Sequence, residues 1–246
     1  MDKFNRYLST HFAELGGVNR NIHRLESIRA NYAEFVPADK SAAILEIGPG
    51  MGELLHYLTV ESGLLNVEAI DLSAEVAAYC SQRYCHTLQV DDPIQFLKNR
   101  VAHYDLITLL HVLEHVEKAQ AIAFLCAIRN ALKPQGRVII EVPNMGNPLV
   151  GLTGRYADFT HEIGFTGNSL AQLLRLADFE TVRVRPFRIP VSSPARIAQF
   201  ALRGCLEFSL RLLTRLYSTN VEINSANLVA IASCGGGTLP PTAHGM

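Results

Sequence analysis

Residues 44–52, ILEIGPGMG, set a carboxylate, Glu46, at the mouth of a turn in which Gly48, Gly50 and Gly52 alternate with Pro49 and Met51. The apolar residues Ala42, Ala43, Ile44, Leu45 and Ile47 lead into the turn, and Leu54, Leu55, Tyr57 and Leu58 follow at helical spacing. The stretch therefore reads as strand, tight turn and helix. Glycines let the backbone reach positive φ and come close to a ligand, and the start of a helix offers unpaired N–H groups. A dinucleotide fingerprint needs a third glycine where Glu53 stands, and a phosphate-binding loop needs a lysine that is not there. A carboxylate at the loop mouth repels pyrophosphate and suits a cationic ligand carrying an ammonium group. Asp71 ends the next apolar run, about twenty residues on, where an acid can accept both hydroxyls of a ribose. Its other role is at the start of a helix capped by Ser73.

Asp91 and Asp92 follow a third run, and Asp92 before Pro93 is also a natural helix N-cap. A fourth run ends in Leu110-His111-Val112-Leu113-Glu114-His115, where three polar side chains in an apolar stretch require partners or a cavity. His111 and His115 are four apart, but the zinc pattern H-E-x-x-H needs a glutamate where Val112 stands. With no third ligand nearby, no metal is expected.

The glycine loop resembles the first motif of class I S-adenosylmethionine-dependent methyltransferases. Glu46–Gly52, Asp71, Asp92, HVLEH at 111–115, the Pro134-Gln135-Gly136 turn and Pro143-Asn144 come in the order and spacing of that superfamily. A second stretch holds Arg155-Tyr156-Ala157-Asp158-Phe159-Thr160-His161-Glu162, Phe165-Thr166, Ser169-Leu170 and Leu173-Leu174 through Phe179. It is similar to a bacterial subgroup associated with surface-polysaccharide and O-antigen biosynthesis, and the likeness runs on to NLVAIAS at 227–233. Asp178, where that subgroup usually has glycine, and Pro49, where many relatives carry cysteine, depart from it. The resemblance implies an α/β Rossmann-like fold with a mostly parallel seven-stranded sheet and an antiparallel edge. It implies S-adenosylmethionine held by Glu46, Gly48, Gly50, Gly52, Asp71, Leu72, Leu110 and His111. One of Asp91 and Asp92 would hold the adenine amino group, and the Asp92–Phe96 spacing favours Asp92.

The implied reaction is methyl transfer to oxygen, with a sugar hydroxyl in surface-glycan assembly as acceptor. The leaving group is good, so alignment and desolvation supply much of the rate, while the hydroxyl needs a base. His161, flanked by Asp158 and Glu162, is the first candidate, with a carboxylate orienting the imidazole; His115 is the second. Arg155 and Tyr156 are candidate clamps on a sugar or phosphate, and Asn144 and Glu162 are further substrate-binding candidates. Two alternatives stay open: an O-methyltransferase for a phenolic or quinone-precursor small molecule, and a non-catalytic cofactor-binding partner of another enzyme.

These residues need a scaffold, and the pattern supplies one. Strands at 43–47, 67–70, 87–90, 106–110 and 137–142 alternate with helices at 52–60, 74–83, 94–99 and 118–132, as βαβ units do. A loop over 143–166, a helix at 169–177 and strands at 181–189 and 227–232 complete it. The expected organisation is a helical cap over 1–39, broken at Gly16-Gly17, a core over 40–189, an insertion over 190–225, a last core strand over 226–233 and a disordered tail over 234–246. Net charge is −1, which excludes a global nucleic-acid footprint, and five cysteines without a CxxC pair fit a reducing compartment. The start lacks the apolar core of a leader, and no run of about 18 apolar residues occurs, so a cytoplasmic protein is expected. Within the insertion, 195–217 is a basic amphipathic helix: Arg196, Gln199, Arg203, Glu207, Arg211, Thr214 and Arg215 share one face, opposite Leu202, Leu206, Leu212, Leu213 and Leu216. Such a helix packs on its own core or a second subunit, or lies on the inner membrane surface, where a lipid-linked glycan would be met.

Overall fold

The computed structural model describes residues 19–190, 194–216 and 225–235. The first half of the cap with its Gly16-Gly17 break, the Ser192-Ser193 helix start and the tail beyond Gly235 lie outside these residues. Helix α1 (Asn19–Tyr32) is followed by a 3-10 turn, Ala33–Phe35, and leads to β1 (Ile44–Ile47). Then come α2 (Glu53–His56), β2 (Val67–Asp71), α3 (Ala74–Arg83), β3 (Thr87–Gln89), α4 (Pro93–Lys98) and β4 (Tyr104–Leu110). The second half holds α5 (Ala121–Ala131), β5 (Leu132–Pro143), α6 (Gly151–Tyr156), α7 (Gly167–Leu176), β6 (Thr181–Pro186), α8 (Pro194–Leu216) and β7 (Asn227–Ser233).

The seven strands form one sheet in the order β3-β2-β1-β4-β5-β7-β6. β1 to β5 pair in parallel, and β7 runs antiparallel to both neighbours, β5 and β6. The expected mixed sheet is thus present, with its reversed strand inserted one place in from the edge. Alternation along the strands splits the core in two. Leu45, Ile107 and Leu109 pack with Phe124, Ile128 and Leu174 on one face, and Ile44, Leu106 and Ile139 pack with Ile28, Leu55 and Leu58 on the other. The chain steps outward from β1 to β3, then crosses back to β4. That reversal opens a crevice beyond the carboxyl ends of β1, β2 and β4, the place where open α/β sheets bind ligands.

Local chemistry explains where elements depart from the sequence pattern. The expected helix over 52–60 is α2 followed by a widened π turn, Tyr57–Glu61, which Ser62 N closes onto Tyr57 O at 2.8 Å. The Lys133-Pro134-Gln135-Gly136 turn lies inside β5 as a bulge, because Tyr104 faces Leu132 while Leu106 already faces Arg137. A Cβ on Gly136 would stand 2.8 Å from Tyr104 O, so only glycine closes it. The segment 143–166, expected as loop, contains α6. Asn147 Oδ1 accepts from Leu149 N at 2.9 Å and Val150 N at 3.3 Å and so starts that helix. The strand expected to reach Ile189 ends at Pro186.

Helix α1 is a fixed part of the domain: Ile28, Tyr32 and Phe35 are buried on the sheet. Its clasp is Asn31, fully buried. Asn31 Nδ2 donates to Ser27 O at 2.9 Å and Arg188 O at 2.8 Å, and Oδ1 accepts from Arg185 Nη1 at 3.0 Å and Arg188 N at 2.8 Å. Helix α8 behaves oppositely. Ile197, Phe200, Leu202, Leu206, Phe208, Leu212, Leu213 and Leu216 are all exposed, so among the described residues these side chains do not pack on the core. Among the described residues no helix is long and apolar enough to cross a membrane. The side chain of Asn31 uses all its hydrogen-bonding capacity across α1 and the end of β6, and truncating it strands buried donors and acceptors. Asn31→Ala is expected to lower stability by about 1–3 kcal/mol in urea denaturation, with an unchanged m value.

Candidate active site

Gly48, Gly50 and Gly52 have φ of +70°, +55° and +75°. At Gly48 a Cβ would stand 2.5 Å from Val112 Cγ2, so the first glycine also lets the loop close against the turn after β4. Around this loop the crevice has two lobes. One, of about 370 Å³, is walled by Arg24, Tyr32, Glu46, Glu53, Leu110 and Glu141. The other, of about 740 Å³, is walled by Asp71, Leu72, Asp91, Asp92, His115 and Phe124. Gly48, Gly50 and His111 line both lobes, making one groove over the sheet edge.

Two carboxylates in this groove are held out of water, and one of them lacks a partner its burial requires. Glu46 is 2% exposed, and its Oε2 accepts no hydrogen bond. Burial pushes its carboxyl well above the ordinary range, the Glu53 charge adds to this, Arg24 opposes it and Asp71 adds a little more. Asp71 is pushed up to about 6 by burial, against backbone N–H bonds from Ser73 and Leu72 that favour the charge. A buried acceptor without a donor is costly, and Glu46 Oε2 is such an acceptor, whereas Asp71 Oδ1 accepts from Ser73 N at 2.7 Å. Asp92 caps α4, its Oδ1 accepting from Ile94 N at 2.8 Å and Gln95 N at 3.1 Å. Asp91 Oδ1 accepts from Gln89 Nε2 at 3.0 Å.

Residues 20–184, which carry this groove and the parallel half of the sheet, match the family described as "Methyltransferase domain". The chain belongs to that family. It is similar to "Ubiquinone biosynthesis O-methyltransferase" of Xylella fastidiosa (strain 9a5c), 30% identical over 149 residues, which cover 58% of each chain. The protein of that name in Xanthomonas campestris pv. campestris (strain B100) is also 30% identical, over 58% of this chain and 60% of its own. The chain thus spans about 58–60% of the length of these curated relatives. Among solved structures, a SAM-dependent methyltransferase from Archaeoglobus fulgidus superposes with a TM-score of 0.69 at 20% identity, covering 92% of this chain and 98% of that one. A Haemonchus contortus phosphoethanolamine N-methyltransferase 2, solved with S-adenosyl-L-methionine, superposes with a TM-score of 0.60 at 17% identity, over 95% and 60% of the two chains. These two establish the shared fold.

The methyltransferase cofactor is S-adenosylmethionine, and the groove fits it. Glu46 offers a buried, unpartnered carboxylate oxygen to an ammonium, the three left-handed glycines keep side chains off the loop, and Asp71 offers a carboxylate at the end of β2. His111, expected at the cofactor, is also the hub of a buried network. It has φ +57°, its Nδ1 is 3.2 Å from Glu114 Oε1, and its Nε2 is 3.2 Å from Glu141 Oε1. Asn227 Nδ2 donates to Glu141 Oε1 at 2.5 Å, and Tyr32 Oη donates to Glu141 Oε2. Burial alone would pull His111 down. The Glu141 charge, the hydrogen bonds to both carboxylates and the Glu114 charge outweigh it and carry the ring up to about 10. Burial pushes Glu141 up, yet the His111 charge and the donors around it hold the carboxyl below its ordinary range. Sequence reasoning missed Tyr32, Glu141 and Asn227; the available signal was a lone carboxylate within the apolar run 138–142.

At the acceptor end, several expectations need correction. His115, ranked second, lines the larger lobe, whereas His161, ranked first, lines neither lobe and stacks edge-on behind it with ring centroids 4.8 Å apart. Asp158 accepts from Thr160 N and Oγ1, both at 2.7 Å, and Thr160 Oγ1 in turn meets His115 Nδ1 at 2.8 Å. Burial holds His115 below its ordinary value; Glu114 opposes this and His161 reinforces it. Arg155 is no clamp: its guanidinium donates to the carbonyls of His161 at 2.5 Å and Glu162 at 3.4 Å and so folds the segment. Tyr156 and Glu162 are exposed and line neither lobe. Asn144 is 1% exposed and ties a turn, with Nδ2 on Ser225 O and Oδ1 on Gly146 N, both at 2.9 Å. Each of these polar groups satisfies backbone that the segment itself leaves unpaired. The spacing of His111 and His115 shows no third ligand along the chain, whereas the fold brings Glu114, His115 and His161 together.

Asp71 carries a testable cost. A carboxyl moved from 3.8 to about 6 favours its protonated form in the folded chain, so stability is highest below the unfolded value and falls as pH rises through about 6. The full penalty above that is about 3 kcal/mol. Asp71→Asn is expected to raise the stability of the ligand-free protein at pH 7.5 by up to about 3 kcal/mol in urea titration, with the gain vanishing toward pH 4.

Proposed function

We propose that this methyltransferase transfers a methyl group from S-adenosylmethionine to the hydroxyl of a small aromatic acceptor, of the phenolic or quinone-precursor class. The observation that carries the reading is His115, opening onto the same groove as the glycine loop and held by the Asp158–Thr160 relay. S-adenosylmethionine supplies an electrophilic methyl on a sulfonium that leaves as a neutral thioether. Glu46 holds the ammonium, Asp71 the ribose hydroxyls, and Asp92, or Asp91 beside it, the adenine amino group. His111, flanked by Glu114 and Glu141, lies between the lobes and keeps the floor of the groove in one geometry. The acceptor hydroxyl meets the groove at His115, whose imidazole takes up its proton.

The names of the relatives favour a small aromatic acceptor. The surface-glycan reading rested on the likeness of the 155–179 stretch and of 227–233 to a bacterial subgroup; of its candidate substrate contacts, Arg155 donates to the carbonyls of His161 and Glu162, and Asn144 Nδ2 donates to Ser225 O. An aromatic acceptor with an apolar tail would also give α8 a purpose. Its exposed apolar residues, with Arg203, Arg211 and Arg215 along it, suit the headgroup region of an anionic bilayer. Flotation with vesicles containing phosphatidylglycerol is expected to carry the intact chain and not a chain whose Leu206, Phe208, Leu212 and Leu213 are changed to serine. Flotation of neither would remove the membrane contact.

The direct test offers catechols, polyprenylated phenols and nucleotide-activated sugars to the purified chain with methyl-labelled S-adenosylmethionine. Label is expected in the phenolic compounds; label only in the sugars would restore the glycan reading. His115→Ala is expected to lower kcat about 10²–10⁴-fold with cofactor affinity unchanged by calorimetry.

A further inference from the structure

Glu46 stands inside the sheet. Its neighbours in register are Ala69 of β2 and Thr108 of β4, and neither brings a cation. Thr108 turns its hydroxyl to Leu45 O at 3.4 Å. The Glu46 carboxyl is 2% exposed, lines the smaller lobe, and has an oxygen, Oε2, that accepts no hydrogen bond. The groups that face it from the surrounding elements leave it in that state. From α1, Arg24 is more than half exposed and pairs with Glu53 at 3.5 Å, and Tyr32 donates to Glu141. Glu53 of α2, Asp71 of β2 and Glu141 of β5 are further carboxyls. His111 is the other cation lining the lobe, and its two ring nitrogens face Glu114 and Glu141. Cys80 of α3 and Cys85 after it are thiols that burial keeps uncharged. A buried carboxylate with neither a donor nor a counter-charge takes up a proton. Burial, with the Glu53 charge adding to it, pushes the Glu46 carboxyl up in keeping with this geometry.

We propose that Glu46 is a proton-exchange site, which holds a proton in the empty groove and releases it when a ligand's ammonium takes that proton's place. The inference rests on the reading that Glu46 receives the ammonium of S-adenosylmethionine. The exchange is one for one. The O–H bond of Glu46 breaks, its electron pair stays on the carboxylate, and the proton goes to water, while the ammonium N–H groups become the donors that Oε2 lacks. The local charge is therefore zero before and after, and neither state leaves a lone charge out of water. A ligand with the adenosine half and no ammonium leaves Glu46 protonated. Acid favours the protonated form and so weakens binding of the ammonium. As pH rises through the Glu46 titration, affinity climbs by up to about tenfold per pH unit for one proton released, and then levels. Asp71, pushed up to about 6, titrates in the same region but faces the other lobe, so it responds to the ribose.

The test compares S-adenosylmethionine with 5′-methylthioadenosine, which carries the ribose and adenine without the ammonium, in calorimetric titrations of the full chain at about pH 6. Each is run in two buffers of different ionisation enthalpy, so the difference in heat counts the protons released. Both ligands draw the proton that Asp71 loses, and the excess for S-adenosylmethionine belongs to the ammonium end. An excess of about one proton is expected, and Glu46→Gln should remove it. Equal release by the two ligands, or an excess that Glu46→Gln leaves in place, would overturn the exchange. Carbon-13 NMR of the glutamate carboxyls in the ligand-free chain reads the empty state by itself, with Glu46→Gln assigning the signal. The neutral acid is expected at about pH 6, and an ionised Glu46 there would overturn the proposal whatever binds. Neutral Glu46 in a chain that binds no S-adenosylmethionine would instead overturn the cofactor reading, on which the exchange rests.

Discussion

The clamp of His111 between Glu114 and Glu141 is what the groove depends on. It joins the end of β4, the turn after it, β5, β7 through Asn227 and α1 through Tyr32 in one buried network. A lone charge at that depth would be expelled, but two carboxylates make the imidazolium the favoured form. Removing one partner from such a network strands the others and costs more than the pair itself contributes. His111 also has a φ of +57°, a backbone conformation uncommon outside glycine and held here by the surrounding network. His111 lines both lobes, so the clamp fixes the wall that the two halves of the groove share.

Around this rigid centre the cofactor side is left deliberately unsatisfied. Glu46 and Asp71 are both pushed up by burial, and Glu46 keeps an oxygen with no donor. Under the proposed function, their cost to the empty fold is the differential that an ammonium and a pair of hydroxyls recover on binding. The parallel strands around them are almost wholly apolar, so the core carries that cost while the rim holds the polar groups.

The segment between β5 and α7 shows how a polar run can be read two ways. Arg155, Asn144, Asn147 and Asp158 have the types expected of substrate contacts. In the fold each bonds backbone groups, Arg155, Asn147 and Asp158 within a few residues and Asn144 both at Gly146 and across to Ser225. Their effect on the site is indirect but specific: Asp158 holds Thr160, Thr160 faces His115, and the backbone at Glu162 and Ile163 docks His161 beside Glu114.

The sequence alone determined the alternation of strands and helices, the glycine loop, the acid at the end of β2 and the cap at Asp92. Each of these depends on contacts within a few residues, on backbone φ, periodicity or a side chain reaching the next turn. Even the π turn after α2, the bulge at Gly136 and the helix started by Asn147 are small adjustments of locally legible signals. What the tertiary structure decided lies across long separations. Tyr32 reaches Glu141 over 109 residues, Asn227 reaches the same carboxylate over 86, and Thr160 reaches His115 over 45. No spacing rule announces such partners, because the sheet order that joins them exists only once β4 has crossed back beside β1. For the same reason His115, the second candidate, lines the larger lobe and His161, the first, lies beside it. Flanking carboxylates in sequence say which charges are near along the chain, while burial and the sheet edge decide which imidazole faces the groove.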